Sequence, residues 1–175
     1  MKTPILETTR LQLRPFQKED AQEVFDCWES DPDVSKYMYW NSHDDINKTK
    51  EWIDFELGNI EKDDWYRFAL MLKETGELIG TGLIYYDEDI SNWAIGYNLG
   101  KKFWGKGYVT EAMKRIIQFA KEELHIKELD GRYAKANPAS GRIMDKLGFQ
   151  YVKDIPYDCN DGGEVLPGIQ KILYL

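Results

Sequence analysis

Only two cysteines, Cys27 and Cys159, occur in 175 residues, too few for a disulfide framework and without the close spacing of a metal site. Histidine is as scarce. His43 and His125 stand alone, so no ligand cluster can be assembled and no metal is expected. No apolar run approaches the roughly 18 residues of a membrane span, and Met1-Lys2-Thr3-Pro4-Ile5 lacks the apolar stretch of a secretion signal. The expectation is a cytoplasmic protein with reduced thiols and no membrane partner. Basic residues are outnumbered 23 to 31, for a net charge of −8, which disfavours a general nucleic-acid partner and favours cationic ligands. Repeats, low-complexity tracts and linkers are also missing, so 1–175 reads as a single domain. Its 42% apolar and 14% aromatic content suffices for a real core.

One more absence marks the strongest helix. Val109, Ala112, Met113, Ile116, Ile117, Ala120 and Leu124 recur at helical spacing, with charged and polar residues on the other face. No Ser, Thr, Asp or Asn stands just before the first apolar residue to cap the free N–H groups. Lys101-Lys102-Phe103-Trp104-Gly105-Lys106-Gly107 stands there instead. Uncapped donors, the positive end of the helix dipole and nearby ammonium groups make an anion site, with a phosphate or pyrophosphate in place of the cap. Two better-known glycine motifs are excluded. Gly105-Lys106-Gly107 does not supply the Gly-Lys-Ser/Thr of a nucleotide-hydrolase loop, and Thr110 occupies the third glycine position of a dinucleotide fingerprint.

Along the rest of the chain, Thr8 to Phe16 alternates as a half-buried strand, with Pro15 suggesting an edge position. Glu19 to Trp28 reads as a helix broken by Asp31-Pro32-Asp33. The aromatic run Tyr37-Met38-Tyr39-Trp40 is either core packing or a wall for a bound amine. Ser42 with Asp45 resembles a helix start before Ile46, Lys50, Ile53, Leu57 and Ile60. Trp65 to Lys73 and Glu77 to Tyr86 form a hairpin across Glu74-Thr75-Gly76. Trp93 to Leu99 is a further strand, whose Gly96 marks a bulge or a close ligand approach. Glu128 to Lys135 is a strand, Asn137-Pro138 opens a short helix ended by Gly148, and Phe149 to Lys153 and Gly168 to Tyr174 are two last strands. The Tyr157-to-Pro167 connection is long, polar and glycine-containing, and is expected to be mobile or functional. The order gives an α/β (α+β) domain with a mixed sheet.

With these pieces in place, the chain resembles the GCN5-related N-acetyltransferase (GNAT) superfamily, and more narrowly its RimJ/RimL-like branch. The resemblance runs from Glu7-Thr8-Thr9-Arg10-Leu11-Gln12-Leu13-Arg14-Pro15 through Ile95-Gly96-Tyr97-Asn98-Leu99 and Phe103 to Ala112. It closes with Asn137-Pro138-Ala139-Ser140 and Lys146-Leu147-Gly148-Phe149. It implies a mostly antiparallel central sheet of about seven strands flanked by about four helices. It implies acetyl-CoA as donor and a primary amine as acceptor, either a protein N-terminus such as a ribosomal protein's or a small cationic amine. A homodimer is compatible with it.

The same resemblance distributes the site residues. Lys102, Phe103, Trp104, Gly105, Lys106, Gly107, Tyr108, Val109 and Thr110 would hold the pyrophosphate, Lys102 standing where the superfamily usually has Arg or Gln. Ile95, Tyr97 and Leu99 would offer the strand edge to the pantetheine arm, with an N–H near Tyr97 or Asn98 meeting the thioester oxygen. Asn137 would contact the arm, and Ser140 is the candidate general acid, its bland alternative being a first-turn serine that satisfies backbone donors. Tyr39, Trp40 and Tyr97 are candidate acceptor contacts. No base is assigned, because Ala94 stands where the branch commonly has Glu. Asp87, Glu88 and Asp89 or a water relay are the substitutes, and a catalytically weak acyl-CoA-binding module is the competing reading.

Overall fold

A computed structural model describes residues 1–175. The strands are β1 (Leu6–Glu7), β2 (Leu11–Arg14), β3 (Trp65–Leu72), β4 (Leu78–Asp87), β5 (Asn92–Leu99), β6 (Glu128–Ala134), β7 (Gln150–Cys159) and β8 (Glu164–Tyr174). They form one eight-stranded sheet in the order β1-β2-β3-β4-β5-β6-β8-β7. Every neighbouring pair is antiparallel except β5 and β6. The helices are α1 (Ala21–Val24), α2 (Pro32–Ser35), α3 (Ile46–Asn59), α4 (Tyr108–Glu122) and α5 (Pro138–Leu147). A mixed, mostly antiparallel sheet with flanking helices is the expected class, with a two-residue strand and a one-turn helix added at the N-terminal end.

Side-chain alternation divides the core between the two faces of the sheet. On one face Tyr66, Phe68, Leu70, Ile84 and Ile95 pack against Met113, Ile116 and Phe119 of α4 and Met144 of α5. Met113, Ile116 and Phe119 are almost free of solvent, and each such burial contributes about 1.5–3 kcal/mol. The helix reaches the sheet closely because β4 offers Gly82 there, where a Cβ would lie 2.7 Å from Ile116 Cδ1. On the opposite face Ala69 and Leu78 meet Val24, Trp28 and Ile53 from α1, the turn after it and α3.

β5 and β6 share a single pair of residues, Ala94 opposite Asp130. Asn92 Nδ2 closes the junction on one side by donating to Glu128 Oε1 at 2.7 Å. On the other side the strands part, so β5 from Ile95 to Leu99 has a sheet partner only in β4.

Several local expectations are corrected. The first strand is shorter than Thr8–Phe16, because Thr8 folds back: its hydroxyl accepts from the Leu11 amide at 2.9 Å and its own N–H donates to the Leu11 carbonyl at 2.9 Å. Pro15 follows the last strand pair, and β2 lies between β1 and β3 rather than at the edge. The Glu19–Trp28 helix is interrupted by a π turn, Phe25–Glu29. Asp45 caps α3, accepting from Asn47 N at 2.8 Å, whereas the Ser42 hydroxyl lies 2.6 Å from that of Ser35. The β4–β5 register is unbroken at Gly96. The Tyr157-to-Pro167 stretch is a paired ribbon, with Tyr157 opposite Leu166 and Cys159 opposite Glu164. Its tip, Asn160-Asp161-Gly162, has left-handed φ angles of 53°, 55° and 77°. That tip is anchored: Asn160 N donates to the Met38 carbonyl at 3.0 Å, and Asn41 Nδ2 to Asp161 Oδ2 at 2.8 Å.

Glu29, at the end of the π turn, is buried beside Arg67, Glu56 and His43, and accepts the Trp28 indole N–H at 3.0 Å. Burial pushes its carboxyl up to about 7 from an ordinary 4.5, against the opposing pull of Trp28 and Arg67. Between those pH values the unfolded chain releases a proton that the folded chain keeps, so this group lowers stability as pH rises. Burial lowers the His43 pKa, which gives the opposite slope near its ordinary 6.5. The informative quantity is therefore the difference between variant and parent. Glu29→Gln should be more stable than the parent at pH 8, by up to about 3 kcal/mol, and the gap should close towards pH 4.5 in denaturant titrations. Parallel profiles would contradict the assignment.

Candidate active site

The α4 tip is built as its composition suggests. A 3-10 turn, Lys101–Phe103, leads through Trp104 to Gly105 (φ 73°) and Gly107 (φ 79°), and Gly107 is the N-cap residue with no side chain accepting from the first turn. Left-handed φ at both positions explains the glycines, since a Cβ there costs about 1–2 kcal/mol. Phe103 anchors the turn in the core, and the Trp104 indole donates to the Leu99 carbonyl at 2.7 Å. The first N–H groups of α4 thus lie at the mouth of a groove of about 580 Å³ without side-chain partners.

β5 forms one wall of that groove. Gly100 N donates to the Ile79 carbonyl at 2.9 Å, and antiparallel pairing alternates, so the amides of Asn98 and Gly96 turn towards β4. Tyr97 and Leu99 therefore point their N–H groups away from β4, into the gap left by β6. The opposite wall is α5. Asn137 precedes its first turn with a side chain that makes no capping bond, and Pro138 occupies the first helical position. The Ser140 hydroxyl lies 2.8 Å from the Tyr97 hydroxyl, and the Tyr97 O–H also reaches the Ser140 carbonyl at 3.1 Å. Burial pushes the Tyr97 phenol up, so it stays protonated at neutral pH. Ser140 makes this cross-groove contact and leaves the backbone of its own helix alone. Gly141 lets α5 approach, since a Cβ there would lie 2.6 Å from the Tyr133 hydroxyl on β6.

Ten of the residues singled out in the sequence line the groove: Tyr97, Leu99, Trp104, Gly105, Gly107, Tyr108, Val109, Thr110, Asn137 and Ser140. Others do not. Lys102 turns away to pair with Glu77 at 2.9 Å, and the Lys106 ammonium lies 5.9 Å from the centre of the Phe103 ring. Ile95 and Phe103 are core residues. Tyr39 is 65% exposed, and Trp40 packs on the second core cluster, so the aromatic run contributes Tyr37 and Met38 to the groove in place of these two. Of the basic loop Lys101 lines the groove, and the missed cationic lining is Lys36, Arg142 and Lys146. Arg142 and Lys146 are four apart on α5 and were legible only as its polar face.

Asp33, paired with Lys101 at 2.5 Å, is the sole acidic residue of the lining. Asp87, Glu88 and Asp89 sit at the other end of β5, roughly 17 Å from Tyr97 at 3.3 Å per strand residue. Asp130, opposite Ala94, is buried with its carboxylate bonded to Arg132 Nε at 2.8 Å and to Gln170.

Comparison with known proteins matches residues 10–150 to the model of the acetyltransferase (GNAT) domain. The uncharacterized N-acetyltransferase p20 of Bacillus licheniformis is 33% identical over 146 residues, covering 83% of this chain and 82% of that protein. The ribosomal-protein-S5-alanine acetyltransferase of Vibrio fischeri superposes with a TM-score of 0.83 at 16% identity, over 98% of this chain and 96% of that one. The microcin C7 self-immunity acetyltransferase MccE, solved with acetyl-CoA and AMP, superposes with a TM-score of 0.84 at 19% identity, over 96% and 94% of the two chains. A bare helix tip, a parted strand pair and a family match over most of the chain agree: this is an acetyltransferase belonging to the GNAT family.

Proposed function

We propose that the whole chain works as one catalytic unit in the cytoplasm, moving the acetyl group of acetyl-CoA to a primary amine. One observation carries the reading: the uncapped tip of α4 and the unpaired edge of β5 open into one groove that also holds the Tyr97–Ser140 pair. Each part fits the coenzyme. The free N–H groups after Gly107 suit a pyrophosphate. The amides of Tyr97 and Leu99 and the unbonded side chain of Asn137 suit the amide-bearing arm. Bound acetyl-CoA supplies a thioester, whose carbon is open to attack by a neutral amine.

The chain's own residues supply orientation and protons. The Tyr97 N–H is the donor placed for negative charge on the thioester oxygen. Ser140 is the proton donor for the departing thiolate, with the Tyr97 phenol, kept protonated by burial, hydrogen-bonded behind it. Because Asp33 is the only carboxylate lining the groove and is paired with Lys101, the ammonium proton of the acceptor leaves through water. The acceptor is a protein N-terminus or a small cationic amine, in keeping with the net charge of −8. Ala94 favours a second reading, an acyl-CoA-binding module of low activity.

Titration with acetyl-CoA, followed by thiol release with a panel of amines and N-terminal peptides, separates the two. We expect binding with turnover on at least one acceptor. Tight binding without turnover on any acceptor supports the module, and competition by ATP as strong as by CoA contradicts both. Ser140→Ala should lower kcat by about a hundredfold with coenzyme affinity nearly unchanged. Loss of affinity alone would make Ser140 a coenzyme contact.

A further inference from the structure

The opening Thr8-Thr9-Arg10-Leu11 segment lies outside the groove, yet it bonds both to α4, at Glu111, and to the anion-holding loop, at the Lys106 carbonyl. Glu111, one turn into α4, receives three bonds from it. The Thr8 hydroxyl and the Arg10 amide donate to Oε1 at 2.7 and 2.8 Å, and Arg10 Nε donates to Oε2 at 2.7 Å. Burial alone would raise the Glu111 carboxyl, but these donors outweigh it and hold it below the usual carboxylate range. So fixed, the Arg10 guanidinium lies 4.3 Å over the Tyr108 ring, and its Nη1 donates to the carbonyl of Lys106 at 2.9 Å.

That last bond fixes a direction. The Lys106–Gly107 peptide is trans, so its C=O and N–H point opposite ways. With the carbonyl drawn outward to Arg10, the Gly107 N–H is turned inward, to the side where Gly107 and Tyr108 line the groove. Little else restrains this peptide. Gly105 and Gly107 are both left-handed glycines, and a Cβ on Gly105 would meet nothing within 4 Å. A loop of that kind samples other peptide orientations unless something outside holds it.

We propose that Arg10, held by Glu111, which Thr8 fixes in turn, is a positioning residue for the coenzyme phosphates, acting through the Lys106–Gly107 peptide without touching them. The proposal rests on the acetyl-CoA reading of the groove and adds how the anion loop is kept aimed. It also separates the role of the fork from that of the charge. A lysine at position 10 keeps the positive charge but lacks the planar fork that aims one N–H at Glu111 and another at the Lys106 carbonyl in a fixed geometry.

The test is acetyl-CoA affinity and steady-state kinetics at a temperature where every variant is folded, with Tm measured alongside. Arg10→Ala and Arg10→Lys should each raise the acetyl-CoA Kd and KM about tenfold, the loss of one well-aimed bond to a charged oxygen, with kcat changed less than twofold. Glu111→Gln should move KM in the same direction. A lower Tm with unchanged Kd would overturn the proposal by making the contact purely structural. Wild-type affinity in Arg10→Lys would overturn it in favour of a charge effect. Acetyl-CoA binding by the parent protein serves as the control: if it shows no saturable binding the acetyl-CoA reading fails, whereas binding by the parent with intact affinity in the Arg10 variants sinks the clamp alone.

Discussion

Two parallel strands that meet at Ala94 and Asp130 and then part leave backbone donors and acceptors without sheet partners. Buried peptide groups are almost always paired, so such an edge is stable only where water or a ligand reaches it. In this protein the gap opens onto the groove beside Tyr97 and Leu99. The tip of α4 repeats the condition a short distance away, with a first turn that no side chain caps. Both unmet demands belong to backbone, so an extended ligand carrying anions at one end and amides along its length answers them together.

The rest of the molecule keeps that opening in shape. Core burial of Met113, Ile116 and Phe119 fixes α4 on the sheet, and Gly82 lets it sit close. Tyr133 and Gly141 seat α5 against β6, which brings Ser140 to Tyr97 on β5. The β7–β8 tip holds the carbonyl of Met38, so the groove wall formed by Tyr37 and Met38 is tied to the far end of the sheet. Arg10 and Glu111 act on the anion loop from outside in a similar way.

Features set by short-range rules were legible in the sequence. The stripe of α4, the missing cap at Gly107, the Pro138 start and Gly148 end of α5, and the hairpin at Gly76 follow from periodicity and local conformation. Features set by distant partners were not. The ribbon over Tyr157–Pro167 is largely exposed on both faces and so carries no alternating signal. The resemblance implies Lys102 as a phosphate ligand, but the 3-10 turn sends it to Glu77 and leaves Lys101 at the groove. The aromatic run was divided by where its loop docks on the ribbon tip, which no local pattern records. The parting of β5 and β6 is likewise a property of the assembled sheet.

Amide hydrogen exchange with and without CoA tests the central claim most directly. If the parted strand and the bare helix tip hold the coenzyme, the amides of Tyr97, Leu99 and the first turn of α4 from Tyr108 to Thr110 should slow on binding, while those of β7 stay as they were. Tight CoA binding that leaves exchange at Tyr97, Leu99 and the α4 tip unchanged would contradict the account.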